Sequence, residues 1–246
     1  MRIKTAVRYQ INDYIKPVLI YYFSIFCLTL LFGMIPLIFG GNGRFSLTGI
    51  EFITSIFMFV LGLYSFKEVF LMMLQNGISR KTMFLSRLLT MASISIIMSI
   101  MDRFIIIIGQ MLSKVSDKIE ITGFYDMRFK FRNINRILFN LEAIFITIFI
   151  YLALILFGYF ISSLYYRMNK AVKIVVSISV PAFVFILLPV LDYTIFEGKL
   201  IKLINDVLKF IFASENPYNM LISCILFIVV CVVLSWIVIR KAVEKK

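Results

Sequence analysis

The chain has 246 residues, of which 61% are hydrophobic, and its 26 Lys and Arg residues outweigh 13 Asp and Glu residues to give a formal net charge of +13. Soluble domains are nearer half apolar, so this composition favours an integral membrane protein. The chain has no His, which excludes catalytic histidines and histidine metal ligands, and it has no phosphate-binding P-loop motif. Its cysteines match no metal or redox spacing, so no metal site is predicted.

The cations cluster at the ends of long apolar runs, where they set the topology of membrane proteins, so we do not predict nucleic-acid binding. A membrane span needs about 20 mainly apolar residues, and about six runs meet this requirement. These runs cover residues 17–39, 50–74, 88–112, 137–164, 173–191 and 218–239. We therefore predict an all-α integral membrane protein, with one transmembrane domain over residues 1–246.

The first 16 residues precede the first span and have the spacing of an amphipathic helix. Their apolar positions on one face are Ile3, Val7, Ile11 and Tyr14. The cations fall mostly elsewhere, so we predict an interfacial helix whose charges face anionic lipid. A disordered basic tail is the alternative. The apolar run that follows is too long for a signal-peptide core, which indicates a retained span.

The stretch QNGISRKTMF, residues 75–84, separates the second and third spans. Gly77 suits the position just after a helix, because glycine accepts a left-handed conformation. Ser79 suits an N-cap, so a new helix is predicted to start at Arg80. Arg80 and Lys81 then oppose the dipole of that helix. Either anionic lipid or an acidic groove on a cytoplasmic partner would offset this charge.

Asp102 and Arg103 interrupt the third span, and Glu142 lies a short way into the fourth. Charges at membrane depth are costly, so they usually pair with one another or line a cavity. Counting residues along the two helices places Arg103 and Glu142 at similar depth. We predict an ion pair between them, with extension of Arg103 to the outer headgroups as the alternative.

The connection before the last span contains FEGKLIKLINDVLKFIF, residues 196–212. Its apolar residues recur at helical spacing, whereas its charged residues fall on the other side, and the segment is too polar to span a membrane. We predict a short outer amphipathic helix, either in the outer leaflet or re-entrant. An ordinary surface helix is the alternative.

The distribution of cations predicts the orientation of the chain. With the N-terminus in the cytoplasm, four inner segments carry clusters of Lys and Arg, and the first outer loop carries only Arg44. The outer segment 113–136 opposes the rule with six cations, but the short segments decide orientation. We therefore predict a multi-pass protein of the cell membrane with both termini in the cytoplasm.

The segment LQNGISRKTMFLSRLL, residues 74–89, gives the sequence a family resemblance. Together with the six spans, the N-terminal helix, the outer amphipathic helix and Asn216-Pro217 before the last span, it resembles ABC-2-type transporter permeases. In that family the connection between spans two and three is a coupling helix that docks on a separate ATP-binding subunit. The resemblance implies that the docking residues are Asn76, Gly77, Ile78, Ser79, Arg80, Lys81 and Phe84.

The resemblance also implies the partners and the absence of enzymatic chemistry in this chain. ATP and magnesium would bind the partner ATPase, and a second permease subunit, identical or a sister chain, would complete the pathway. An abundance of Ile, Lys, Asn and Phe suggests an AT-rich genome such as that of a Gram-positive bacterium. By analogy, the exported substrates are amphipathic or antimicrobial and cytolytic peptides. The alternative function is a non-transporting membrane scaffold or sensor subunit.

Overall fold

The computed structural model describes residues 3–38, 45–64, 66–115, 119–130, 132, 135–214 and 216–240. Within these ranges the chain is mainly helical. The helices are α1 (Ile3–Ile38), α2 (Ile50–Tyr64), α3 (Lys67–Gln75), α4 (Arg80–Val115), α5 (Phe124–Arg128), α6 (Arg136–Arg167), α7 (Lys170–Ala182), α8 (Leu188–Thr194), α9 (Lys199–Leu208) and α10 (Pro217–Arg240). Two π-helical turns, Phe183–Leu187 and Lys209–Ala213, follow α7 and α9.

Six helical segments are long and apolar enough to cross a membrane, which confirms the number of spans predicted from the sequence. They cover Ile3–Leu31, Ile50–Gln75, Arg80–Ser113, Arg136–Arg167, Lys170–Thr194 and Pro217–Arg240. The second span combines α2 with α3, and the fifth combines α7, a π-helical turn and α8. Six such helices are the architecture expected of a membrane-embedded protein.

The N-terminal segment does not form an interfacial helix of its own. α1 runs without a break from Ile3 through Pro17 to Ile38, so the predicted boundary at residue 16 is wrong. The cause is packing, because Ala6, Gln10 and Tyr14 recur every four residues and are buried. That face lies against α3 and α4 rather than apart from the other helices.

A two-stranded sheet departs from the predicted all-α fold. Strand β1 (Phe45–Thr48) pairs in parallel with β2 (Ile119–Thr122), so that Phe45 faces Ile119. Both strands alternate apolar and polar residues, the pattern of a half-buried strand. β2 packs on α4 at Gly109, where an added Cβ would lie 2.4 Å from the Ile121 side chain.

α6 lies at the centre of the packing and contacts α2, α4 and α10. It crosses α2 where two glycines meet. A Cβ at Gly62 would lie 2.2 Å from the carbonyl oxygen of Ile155, and one at Gly158 would lie 2.3 Å from that of Phe59. This crossing therefore requires glycine on both helices, as in the small-residue interfaces of membrane helices.

The fifth span packs far less than the others. None of the residues between positions 170 and 191 is buried, and Asp192 is the first buried residue on this span. Pro181 and Pro189 flank the π-helical turn. Since proline removes a backbone donor, such irregular turns are a common response to it within a helix.

The connections between spans gather at two ends of the structure. The strand end comprises β1, β2, α5 and the connection 195–216, in which the carbonyl of Phe212 accepts from Arg128 Nε at 3.1 Å. The turn end comprises residues 76–79, the start of α7 and the last residue of α10, whose carbonyl accepts from the Arg80 guanidinium. Successive spans therefore run alternately from one end to the other.

Candidate docking turn and polar clusters

The turn between α3 and α4 ends α3 in a Schellman motif. The Gly77 N–H donates to the Leu74 carbonyl at 3.0 Å, and the Ile78 N–H donates to the Met73 carbonyl at 3.1 Å. Gly77 has a φ of 66°, in the left-handed region that glycine adopts without strain. Met73 and Ile78 share one buried cluster, which supplies the apolar contact of the motif. The predicted helix stop at Gly77 is confirmed.

The helix start predicted on the other side of the turn is also confirmed. α4 begins at Arg80, and the Ser79 hydroxyl accepts from the Thr82 N–H at 3.2 Å. This bond satisfies one of the backbone donors that a helix leaves unpaired at its N-terminus. Both ends of the four-residue turn, 76–79, are therefore closed by specific hydrogen bonds.

The seven residues predicted to dock an ATPase divide into an exposed and a packed group. The exposed ones are Asn76, Gly77, Ser79 and Lys81. Ile78 and Phe84 are buried, and the Phe84 ring lies 5.2 Å from that of Trp236 on α10. Arg80 is half-buried and donates to the carbonyl of Arg240. A partner would therefore contact mainly the exposed group, while the packed group fixes the turn on the protein.

The coupling helix that the family resemblance implies between the second and third spans is not a separate element, because its residues from Arg80 onwards form the first turns of α4. α4 continues unbroken for 36 residues, because no helix-breaking residue follows Arg80 before the apolar run. The short helix of this region is α3, with nine residues, and it precedes the turn.

A buried polar cluster joins α1 to α4 beneath the turn. The Gln10 side chain donates to the Ser86 hydroxyl at 3.1 Å and accepts from the Arg87 guanidinium at 3.1 Å. The Arg87 guanidinium also lies 5.1 Å from the centre of the Tyr14 ring, a cation–π contact. This cluster anchors the N-terminal part of α1 beside the turn, and no pattern in the sequence predicted it.

Asp102 lies in the third span, with only 1% of its surface exposed. Its carboxylate accepts from the Tyr22 hydroxyl at 2.8 Å and from the Tyr151 hydroxyl. Tyr21, the neighbour of Tyr22, hydrogen-bonds to Thr54 at 2.7 Å. Asp102 therefore links the first, third and fourth spans in the interior, and the adjacent tyrosine extends the contact to the second.

Arg103 does not pair with Glu142, so that prediction is wrong. Its guanidinium donates to both carboxylate oxygens of Asp126 on α5, at 2.6 and 3.0 Å, and to the Asn140 side chain. Asn140 and Glu142 lie two residues apart on α6, which turns their side chains about 200° from each other. Only 4% of the Arg103 side chain is exposed, so it lies inside the protein and does not extend from its surface.

Glu142 pairs instead with Arg132, in the connection before α6. The two carboxylate oxygens accept from Arg132 Nη1 at 2.7 and 2.8 Å, and the same nitrogen lies 3.3 Å from the Tyr125 hydroxyl. The hydrogen bond to Glu142 raises the pKa of Arg132. Burial raises the pKa of Tyr125 above its usual range, so its hydroxyl stays protonated. In the sequence, Arg132 is only one of the cations of segment 113–136 that oppose the predicted topology, so this pair was not predicted.

Glu51, at the start of α2, is a buried acid that the sequence analysis did not identify. Its carboxylate accepts from the Phe124 N–H at 2.8 Å and so caps α5. A Cβ added to Gly123 would lie 2.6 Å from Glu51 and 2.7 Å from Asp126. Gly123 therefore lies between two carboxylates, and any side chain at this position would collide with both.

Two cavities lie at the strand end on either side of α5. One, of about 380 Å³, is an apolar groove between α2, α6 and α10, and its lining includes Phe52, Phe124, Leu154, Phe212 and Phe227. The other, of about 690 Å³, is lined mainly by charged and polar side chains of α4, α5, the two strands and the start of α6. We call them the apolar groove and the polar cavity.

Comparison with known proteins finds no relative of this chain. The chain matches no protein-family model, no curated protein and no solved structure. Function is therefore argued from the geometry of the turn, the polar clusters and the cavities.

Proposed function

We propose that the chain is the transmembrane subunit of an ATP-binding-cassette exporter and that the turn 76–79, with Lys81, docks on a separate ATPase subunit. The observation that carries the proposal is the closure of this turn by a Schellman motif on one side and a serine cap on the other. The proposal requires the turn end to face the cytoplasm of the cell, which is the orientation that the distribution of cations predicts.

Such a turn suits the transmission of movement, because it has few ways to bend. The turn leads directly into α4, which at 36 residues extends about 54 Å. The Arg80 guanidinium also holds the end of α10. A displacement of the turn by a partner would therefore move the third and sixth spans together, whereas a flexible linker would absorb it.

The proposed substrates are amphipathic peptides, including antimicrobial and cytolytic ones. The apolar groove is lined by aromatic and aliphatic side chains with Glu51 at its edge, and its volume falls within the range of ligand pockets. A groove of this kind suits the apolar face of a peptide that carries positive charge on its other face. A second permease subunit, against the unpacked fifth span, would complete the pathway.

The test begins with the protein purified from its native membranes, where the proposal expects an ATP-hydrolysing chain in the complex. ATPase activity is then measured in liposomes with and without an amphipathic cationic peptide. Lys81→Glu should remove most of the peptide-stimulated activity, because Lys81 is exposed beside the turn and its replacement leaves the packing unchanged.

The matched control is Lys170→Glu, which reverses an exposed lysine at the same end of the structure but outside the turn. The control should retain stimulation. Absence of an ATPase chain from the native complex would favour the scaffold or sensor function instead. Equal stimulation in wild type and Lys81→Glu would show that the turn is not the docking site.

A further inference from the structure

The polar cavity at the strand end has an excess of positive charge. Among the described residues, its charged lining consists of Arg103, Lys130, Arg132, Arg136, Glu120 and Asp126. The space is about 690 Å³, and because Glu142 also pairs with Arg132 from outside the lining, the four cations exceed the three carboxylates by one positive charge. Gln110 and Asn140 add amide groups to the wall. The cavity is consequently better suited to an anion than to a metal cation or an apolar molecule.

One wall of the cavity is held rigid by buried hydrogen bonds. Arg103 is nearly inaccessible, and Asp126 binds it through two parallel hydrogen bonds while Asn140 accepts from its other side. The Phe139 ring lies 5.8 Å from the guanidinium carbon. This part of the cavity is therefore formed in advance of any ligand, which lowers the entropic cost of binding.

The remaining cations are placed where a ligand can reach them. Lys130 and Arg136 are exposed at the rim. Arg132 is fixed through Nη1 to Glu142 and Tyr125, and among the described residues no acceptor lies at its other terminal nitrogen. Arginine donors in a planar fork, together with a lysine, match the oxygens of a phosphate group.

We propose that the polar cavity binds a phosphate group. The phosphate belongs either to the headgroup of an anionic phospholipid or to a soluble phosphate ion. A lipid has the added option of placing an acyl chain in the apolar groove, which lies across α5 from the cavity. This site does not depend on the proposed transport function, because it lies at the opposite end from the docking turn.

The experiment uses the full-length protein in detergent micelles and counts bound lipids by native mass spectrometry. Phosphatidylglycerol is titrated against phosphatidylcholine. The wild type should retain phosphatidylglycerol, and the double variant Lys130→Gln, Arg136→Gln should bind it roughly thirtyfold more weakly, since each of the two cations contributes about 1 kcal/mol and each step of about 1.4 kcal/mol is a factor of ten in affinity. Thermal unfolding of both proteins without added lipid checks that the variant is folded.

The control variant is Lys199→Gln, Lys202→Gln, which removes two cations of α9 at the same end but outside the cavity. It should bind phosphatidylglycerol as the wild type does. Equal weakening in both double variants, or none in either, would overturn the proposal. A second experiment adds inorganic phosphate to the lipid-bound protein. Displacement of the lipid at millimolar phosphate identifies a site for the free ion, whereas failure to displace the lipid identifies a site for the lipid headgroup.

Discussion

The fourth and fifth spans are about equally apolar, yet they have opposite surroundings. In the most apolar stretch of the fourth span, 44% of the residues are buried, whereas none is buried in that of the fifth. Apolar character therefore does not decide which helices pack in this protein. This is the expected behaviour in a membrane, where lipid chains are as apolar as leucine and offer no hydrophobic drive for association.

Small and polar residues at contact positions distinguish the packed fourth span from the unpacked fifth span. The fourth span carries Gly158, against which α2 packs, and Tyr151, which donates to Asp102 on the third. The fifth span carries no charged residue between Lys173 and Asp192. Close backbone contact and interhelical hydrogen bonds therefore select the packed helices.

The largest effect is expected from a bulky side chain at Gly62, where α2 and α6 cross. Gly62→Leu should abolish recovery of folded protein, because even a single Cβ would lie 2.2 Å from a backbone oxygen of α6 and overpacking by a few methylene groups already costs about 1–3 kcal/mol. The measurement is the yield of monodisperse protein in detergent, with Ala182→Leu on the fifth span as the control. A normal yield of Gly62→Leu would contradict the geometry of the crossing.

Removal of the buried carboxylate should have an intermediate effect. Asp102→Ala leaves the buried Tyr151 hydroxyl without its acceptor, whereas the Tyr22 hydroxyl keeps the Met98 carbonyl at 3.1 Å, so the free energy of unfolding should fall by about 1–3 kcal/mol. Denaturant titration in mixed micelles measures this loss. Asp102→Asn keeps an acceptor and should lose less. The control is Ser179→Ala, at an exposed position of the fifth span, and a loss as small as that of the control would show that Asp102 does not hold the spans together.

The smallest effect is expected on the fifth span. Phe185 and Ile178 are 79% and 66% exposed, so Phe185→Ala and Ile178→Ala should each change the free energy of unfolding by less than about 0.5 kcal/mol. The same titration measures both variants in the isolated chain. A loss above about 1 kcal/mol would mean that this surface is covered, as a second permease subunit against the fifth span would require.

The parts of the structure that follow from local chemistry could be predicted from the sequence. The six spans follow from the length of apolar runs, and the stop at Gly77 and the cap at Ser79 follow from the conformational preferences of single residues. The short helix α9 before the last span was likewise predicted from its spacing. Its position in the outer leaflet stays a prediction, as do the docking role of the turn and the cytoplasmic location of both termini.

The parts that depend on distant residues could not be predicted in this way. Depth along a helix placed Arg103 and Glu142 together, but the direction of each side chain around the helix decides the pair, and α5 supplied Asp126 from a connection. The spacing of Ala6 and Gln10 along α1 was the available sign of a packed face. The burial of Gln10 could not be predicted, because a buried glutamine requires partners that only the fold reveals.

The parallel pairing of β1 with β2 bears on how the chain is made. Phe45 and Ile119 lie at positions 74 residues apart and must meet in register. At ordinary rates of synthesis the ribosome needs about 4 to 15 seconds to cover that distance. The first strand therefore waits unpaired while two further spans enter the bilayer, and its partner arrives only after the third span. The sheet can therefore form only once about half of the chain has been made, and it then joins the connection after the first span to the connection after the third.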